Sequence, residues 1–144
     1  MALRAVAAAI LISSGGTVSA QGDPRQTPEN AKQFIERTLL GSSFSQPWPD
    51  VTYHYTITSV TPNPTSVCLV TVTTIGEGNS VSNAPVDWDF RGIRGMRQEG
   101  TNVVMSNPGL QTIIRAGTED MAARLAYAME FLRQHCDPNA DTGF

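Results

Sequence analysis

The chain has 144 residues, 40% of them hydrophobic and 16% charged, with ten Lys+Arg against thirteen Asp+Glu and a net charge of −3. That length suits one domain with a real core, and the acidic balance argues against nucleic-acid binding, which depends on phosphate neutralisation by basic side chains. Two cysteines and two histidines leave little material for a linear metal motif.

The first twenty residues read as an address. Arg4 supplies a short positive start, Ala5 to Ile12 is an apolar run too short to span a bilayer, and Val18-Ser19-Ala20 has the small residues a signal peptidase reads. Cleavage is expected after Ala20, leaving a mature chain of 124 residues with a net charge near −4, since Arg4 departs with the leader. No later segment approaches membrane-spanning length, so no stable membrane insertion is expected, and the predicted location is exported, periplasmic or secreted. The mature chain is read as a single domain over residues 21–137, followed by a flexible tail over 138–144.

Thr27-Pro28-Glu29 is a helix-start signature, with Thr as N-cap and Pro at the first helical position. Ala31, Phe34, Ile35, Thr38 and Leu39 recur at helical spacing, and Gly41 stops the helix. Ser42 to Asp50 reads as loop, with Trp48 held between Pro47 and Pro49. Val51 to Val60 alternates Val51, Tyr53, Tyr55 and Ile57 against Thr52, His54, Thr56 and Thr58, a half-buried strand. Ser66 to Ile75 is β-branched and puts Cys68, Val70 and Val72 on one face. Gly76 to Asn83 is polar and loop-like. Val86, Trp88 and Phe90 alternate with Asp87 and Asp89, and then Gly92 and Gly95 shift the phase to Ile93 and Met96, which fits a bulge or bend. Asn102 to Met105 and Gln111 to Ala116 are two more short strands around Asn107-Pro108-Gly109.

The chain closes on a helix from Thr118 to Cys136. At about 100° per residue, Met121, Leu125, Met129, Leu132 and Cys136 fall in one stripe flanked by Ala122 and Ala128. Thr118 is the N-cap, Glu119 and Asp120 suit the positive end of the dipole, and Pro138 ends the helix. Tyr127 and Phe131 form a second apolar patch whose expected neighbour is the N-terminal helix, through Phe34 and Ile35. The alternative is a partner chain.

Helix, strands, helix, with no βαβ alternation, gives an α+β fold: a bent antiparallel sheet of five to six strands with an N-terminal helix and a C-terminal amphipathic helix packed on it. Val86-Asp87-Trp88-Asp89-Phe90-Arg91-Gly92-Ile93, then Val103-Val104-Met105, Gln111-Thr112-Ile113-Ile114 and the closing helix, resemble the second half of a pleckstrin-homology-like domain. The chain also resembles small exported bacterial proteins whose closing helix ends in a Leu-Arg-Gln-His-Cys-Asp-like run. Neither resemblance implies a catalytic residue.

Cys68 and Cys136 are expected to form one disulfide: an exported chain, a count of two, and both residues on core-facing positions. Buried free thiols are the alternative. Trp48 in its stiff loop, with Tyr53 nearby, is the candidate contact surface, because rigid aromatics lose little entropy on binding. A lid over the core is the plainer role for Trp48. Arg91, Arg94 and Arg97 form the basic cluster, and Arg91 and Arg94 are the candidates for an anionic group or acidic surface, against a plainer role as edge charges that block strand pairing.

His54 with Asp87 and Asp89 has the chemistry of a metal site, though the two aspartates read first as the solvated side of their strand. His135 beside Cys136 is no nucleophile pair, since adjacent helix residues diverge by about 100°. No phosphate loop, nucleophile elbow or zinc-protease motif is present. The expectation is a non-catalytic binding or interaction module of the bacterial envelope, with no cofactor and no metal, whose partner is another protein or a small ligand. The alternatives are an inhibitor of an extracytoplasmic enzyme acting through the Trp48 loop, and a metal-assisted hydrolase. The sequence leaves the oligomeric state open.

Overall fold

In the computed structural model, seven antiparallel strands form one sheet, and it curls around the closing helix. Residues 26–77 and 85–139 are described. The expected signal sequence, its cleavage point after Ala20 and the end of the tail fall outside them.

The elements run α1 (Pro28–Leu39), β1 (Ser43–Pro47), β2 (Thr52–Thr61), β3 (Leu69–Gly76), β4 (Pro85–Asp89), β5 (Gly95–Glu99), β6 (Asn102–Asn107), β7 (Leu110–Arg115) and α2 (Glu119–Cys136). The sheet order is β4-β3-β2-β1-β7-β6-β5. Two meanders, β1 to β4 and β5 to β7, are joined through β1, whose Phe44 pairs with Tyr55 on one side and Ile114 on the other. β4 and β5 are consecutive in the chain yet stand at opposite edges of the sheet.

The strand count exceeds the expected five to six for two reasons. Ser43–Pro47 is a strand where loop was expected. Its single large apolar residue, Phe44, gives no visible alternation, and its register comes from neighbours far away in sequence. The Gly92–Gly95 phase shift is a full break, with turn residues Phe90 to Gly92 separating β4 from β5.

Both helices start as their sequences direct. The Thr27 hydroxyl accepts from the Asn30 N–H (3.1 Å) and the Thr118 hydroxyl from the Met121 N–H (3.1 Å). Gly41, at φ 78°, takes the left-handed conformation after α1, and its N–H donates to Ile57 O (3.0 Å), tying the helix end to β2. In the β6–β7 connection, Pro108 followed by Gly109 at φ 75° is the type II turn combination.

α2 buries Ala122, Leu125, Ala128, Met129, Leu132 and Cys136. It packs on β5, β6 and α1, and so plugs the opening that the separation of β4 from β5 leaves. Met121, expected in the stripe, is half-buried at the first turn. The stripe shares one buried core with Phe44, Ile57, Val70, Val72, Trp88, Phe90, Val103, Met105 and Ile114 from the sheet and Ile35 and Leu39 from α1. The Cys68–Cys136 disulfide fixes the far end of α2 beside the start of β3, with Cα atoms 5.7 Å apart. No helix among the described residues is long and apolar enough to cross a membrane.

Candidate functional site

The β1–β2 hairpin carries Trp48. Pro47 and Pro49 fix φ on either side of it, and its N–H donates to Val51 O (2.8 Å), so the turn is braced from within. The Trp48 ring is held out to solvent: the residue is 50% exposed and Val51 45%. Beside the turn is an open groove of about 420 Å³ lined by Gln46, Trp48, Pro49, Asp50, Val51, Tyr53 and Tyr55. Its base is firm, because Tyr55 stacks on Phe44 (5.0 Å between centroids) and Phe44 meets the edge of Trp88 (5.5 Å). Gln46 is anchored by donating to Thr112 Oγ1 (3.3 Å). Trp48 and Tyr53 therefore line one groove.

Arg91 and Arg94 lie elsewhere, on the segment between β4 and β5 that buried Phe90 and Ile93 hold in place. Neither lines the Trp48 groove. Arg91 closes on Asp89 through two side-chain bonds of 2.8 Å, and its backbone N–H adds a third at 3.0 Å. These bonds hold the Asp89 carboxyl below its ordinary range against a smaller opposing effect of burial, and they raise the Arg91 guanidinium. Arg97 pairs with Glu99 through a single bond from its Nε (2.6 Å). Arg94 makes no ion pair among the described residues.

His54, Asp87 and Asp89 do not assemble. His54 pairs with Ser45 of β1, and its carbonyl accepts from the Glu77 N–H (2.9 Å). Asp87 pairs with Thr71, whose neighbour in β2 is Thr61, and it accepts from the Thr71 hydroxyl. Seven residues of β2 separate His54 from that row, roughly 20 Å of strand. The metal-assisted reading loses its site, and no group of three or more His, Cys, Asp or Glu among the described residues is placed to hold a metal ion.

His54 instead belongs to a polar groove of about 460 Å³ with Ser43, Ser45, Glu77, Asn102 and Arg115. Sequence reasoning missed this company because it comes from pairing across four strands. The register Ser45 to His54 and Ser43 to Arg115 would have shown it.

The second apolar patch of α2 faces α1 through Phe34, as expected, whereas Ile35 is buried in the core and does not line the groove between the helices. Tyr127 Oη donates to Gln26 Oε1 (2.9 Å), and the Arg124 guanidinium lies 5.4 Å from the centre of the Phe34 ring. Contact is incomplete, and a groove of about 570 Å³ remains between the helices.

No family model and no curated protein matches the chain. Among solved structures, the chain is similar to the "PH domain from PfAPH", with a TM-score of 0.53 and 12% sequence identity, over 78% of this chain and 96% of that one. The likeness extends well beyond the segment from Val86 to Cys136 that carries the sequence resemblance. With its seven curled antiparallel strands and its closing helix, the chain has a pleckstrin-homology-like fold.

Proposed function

We propose that the protein is an exported, non-catalytic binding module that engages a partner protein through the β1–β2 hairpin. The exposed Trp48 on a braced turn, above Tyr53 and Tyr55, carries this reading. A large aromatic held rigid in the free state gives up little entropy when it is buried, which is what an interface anchor needs. The pleckstrin-homology-like fold, frequent among interaction domains, supports a binding role. The charged start, short apolar run and Val18-Ser19-Ala20 ending support export of a chain that begins at Gln21. The disulfide is compatible with an oxidising compartment.

A second reading takes the partner to be an extracytoplasmic enzyme that the hairpin blocks. The bracing of Trp48 favours it, since a projecting loop held in one conformation is the form an inhibitor presents.

Affinity capture from the native envelope, with wild-type and Trp48→Ala baits compared by mass spectrometry, tests the first reading. A partner retained by the wild type and lost with Trp48→Ala is the expected result. Identical recoveries from both baits would remove the hairpin from the account. Adding the protein stoichiometrically to the captured partner separates the two readings, because only the second expects an activity to fall.

A further inference from the structure

The groove between α1 and α2 lies apart from the Trp48 hairpin and is built differently. On the α1 side it is lined by Gln26, the N-cap Thr27, and Asn30, Ala31 and Phe34 on one helical face; on α2 by Ala123, Arg124, Tyr127, Ala128 and Phe131, spaced the same way. The core is closed mainly by other residues, Ile35 and Leu39 on α1 and Leu125, Met129, Leu132 and Cys136 on α2, although Ala128 is buried in the core and Phe34 packs against it. The other residues that line the groove lie outside that core cluster. The groove stays open because the residues between its aromatic walls are small. Ala31, Ala123 and Ala128 leave space that Phe34, Tyr127 and Phe131 border without filling, and Tyr127 remains 58% exposed.

Its volume, about 570 Å³, is within the range of roughly 300–1,000 Å³ typical of small-molecule sites. The chemistry is distributed unevenly along it. Alanine and aromatic surface makes most of the lining, and Arg124 is the one charged residue in it among the described residues. Arg124 has no carboxylate partner among the described residues, and its guanidinium lies against the Phe34 ring. Among the described residues, no acidic side chain lines the groove to repel an anion or attract a cation.

From this we infer that the α1–α2 groove binds an aliphatic carboxylate: an apolar chain lies between Phe34, Tyr127 and Phe131, and its single anionic group pairs with Arg124. A guanidinium beside apolar walls makes a stronger charge-assisted contact than one in open water. A neutral chain of the same length would gain only the apolar contact, and a cationic one would meet Arg124 unfavourably.

Dodecanoate below its aggregation limit is the probe, titrated by calorimetry into the purified protein in the form its host produces. One equivalent should bind, with dodecanol at least about tenfold weaker. Arg124→Gln should lower dodecanoate affinity about tenfold and leave dodecanol unchanged, while Ala123→Leu, which fills the groove from an exposed helix position, should weaken both. Thermal melts of both variants check that the fold persists. Methyl resonances of Ala31, Ala123 and Ala128 should shift on titration, whereas resonances of Trp48 and Tyr53 should not, so this result is independent of the hairpin reading. Equal affinities for acid and alcohol, no effect of Arg124→Gln, or shifts confined to the hairpin would overturn the proposal. So would alanine methyl shifts that follow protein concentration, or truncation before Gln26, with dodecanoate silent, since the groove would then hold a second copy or the chain's own start.

Discussion

Cys68 and Cys136 lie 68 residues apart in sequence and are bonded to each other, so the last turn of α2 is stapled to the residue before β3. The staple matters because α2 closes the curled sheet from outside the strand ladder, and its hold on the β3 side comes through that sulfur bridge and the packing of its apolar stripe. Closing a loop of this length contributes about 4 kcal/mol in the chain-entropy model. A Cys68→Ala, Cys136→Ala variant should melt lower by on the order of 10–20 °C and keep its far-ultraviolet spectrum, because Leu125, Met129 and Leu132 still bury. An unchanged melting temperature would show that the bridge constrains nothing the core does not already fix.

The two tryptophans should respond oppositely to truncation. Trp88 is 6% exposed and meets Phe44 edge-on inside the curl, so Trp88→Ala should cost about 3–5 kcal/mol. Trp48, half in solvent, should tolerate the same change within about 0.5 kcal/mol. Urea melts of the two variants make the comparison. A large loss from Trp48→Ala would mean that the ring serves as a lid on the core, and its role as a contact surface would fall with that result.

The contrast between these tryptophans marks what local pattern can and cannot show. Trp88 belongs to an alternation, Val86, Trp88, Phe90, that already points inward, although Val86 itself ends 46% exposed on the edge strand. The caps Thr27 and Thr118, the stripe of α2 and the pairing of Cys68 with Cys136 are likewise legible, because each is a local signal or follows from a count of two. β1 is not legible. Ser43, Ser45 and Gln46 are polar, and the segment is a strand only because β2 and β7 supply partners on both sides. The company of His54 is hidden for the same reason: Asp87 and Asp89 attract notice by their spacing, while Ser45 and Glu77 are brought to it by the ladder. Trp48 and Tyr53 were legible as neighbours because one short turn joins them. Arg91 and Arg94, read in the sequence as a separate basic cluster, do not line that groove.

Acid should weaken the end of α2. The Glu130 carboxyl is held below its ordinary value of 4.5, first by hydrogen bonds from the Arg133 side chain (2.7 and 2.8 Å) and further by Gln134 (3.0 Å), with burial opposing. A carboxyl whose folded pKa is lowered contributes stability that is present above its ordinary pKa and is lost as pH falls through the folded one. Melting temperature should therefore decline below about pH 4.5, and Glu130→Gln should flatten part of that decline while costing under about 1 kcal/mol near neutrality. A Glu130→Gln profile parallel to wild type down to the acid limb would show that this pair contributes nothing measurable.

Lys32 offers the sharpest test of how α1 is seated. It is 8% exposed, on the same buried face as Ile35 and Leu39, and it pairs with Glu36 one turn on. Its four-carbon stem packs like an apolar side chain while the ammonium reaches the carboxylate. Both charges have given up most of their water, so the pair's net contribution is small, while either charge left alone is costly. Glu36→Gln should destabilise by about 1–3 kcal/mol, because it strands the ammonium at a site where little solvent reaches it. Lys32→Met removes the charge and keeps the stem, leaving Glu36, at 14% side-chain exposure, the easier of the two to turn toward solvent. The methionine variant should therefore be closer to wild type than Glu36→Gln, and the double variant, Lys32→Met with Glu36→Gln, should recover most of what Glu36→Gln loses. Chemical denaturation of the three proteins under one condition gives the coupling directly. If Lys32→Met costs as much as Glu36→Gln and the double variant recovers nothing, then the ammonium itself, and not the packing of its stem, is what seats α1 on the core.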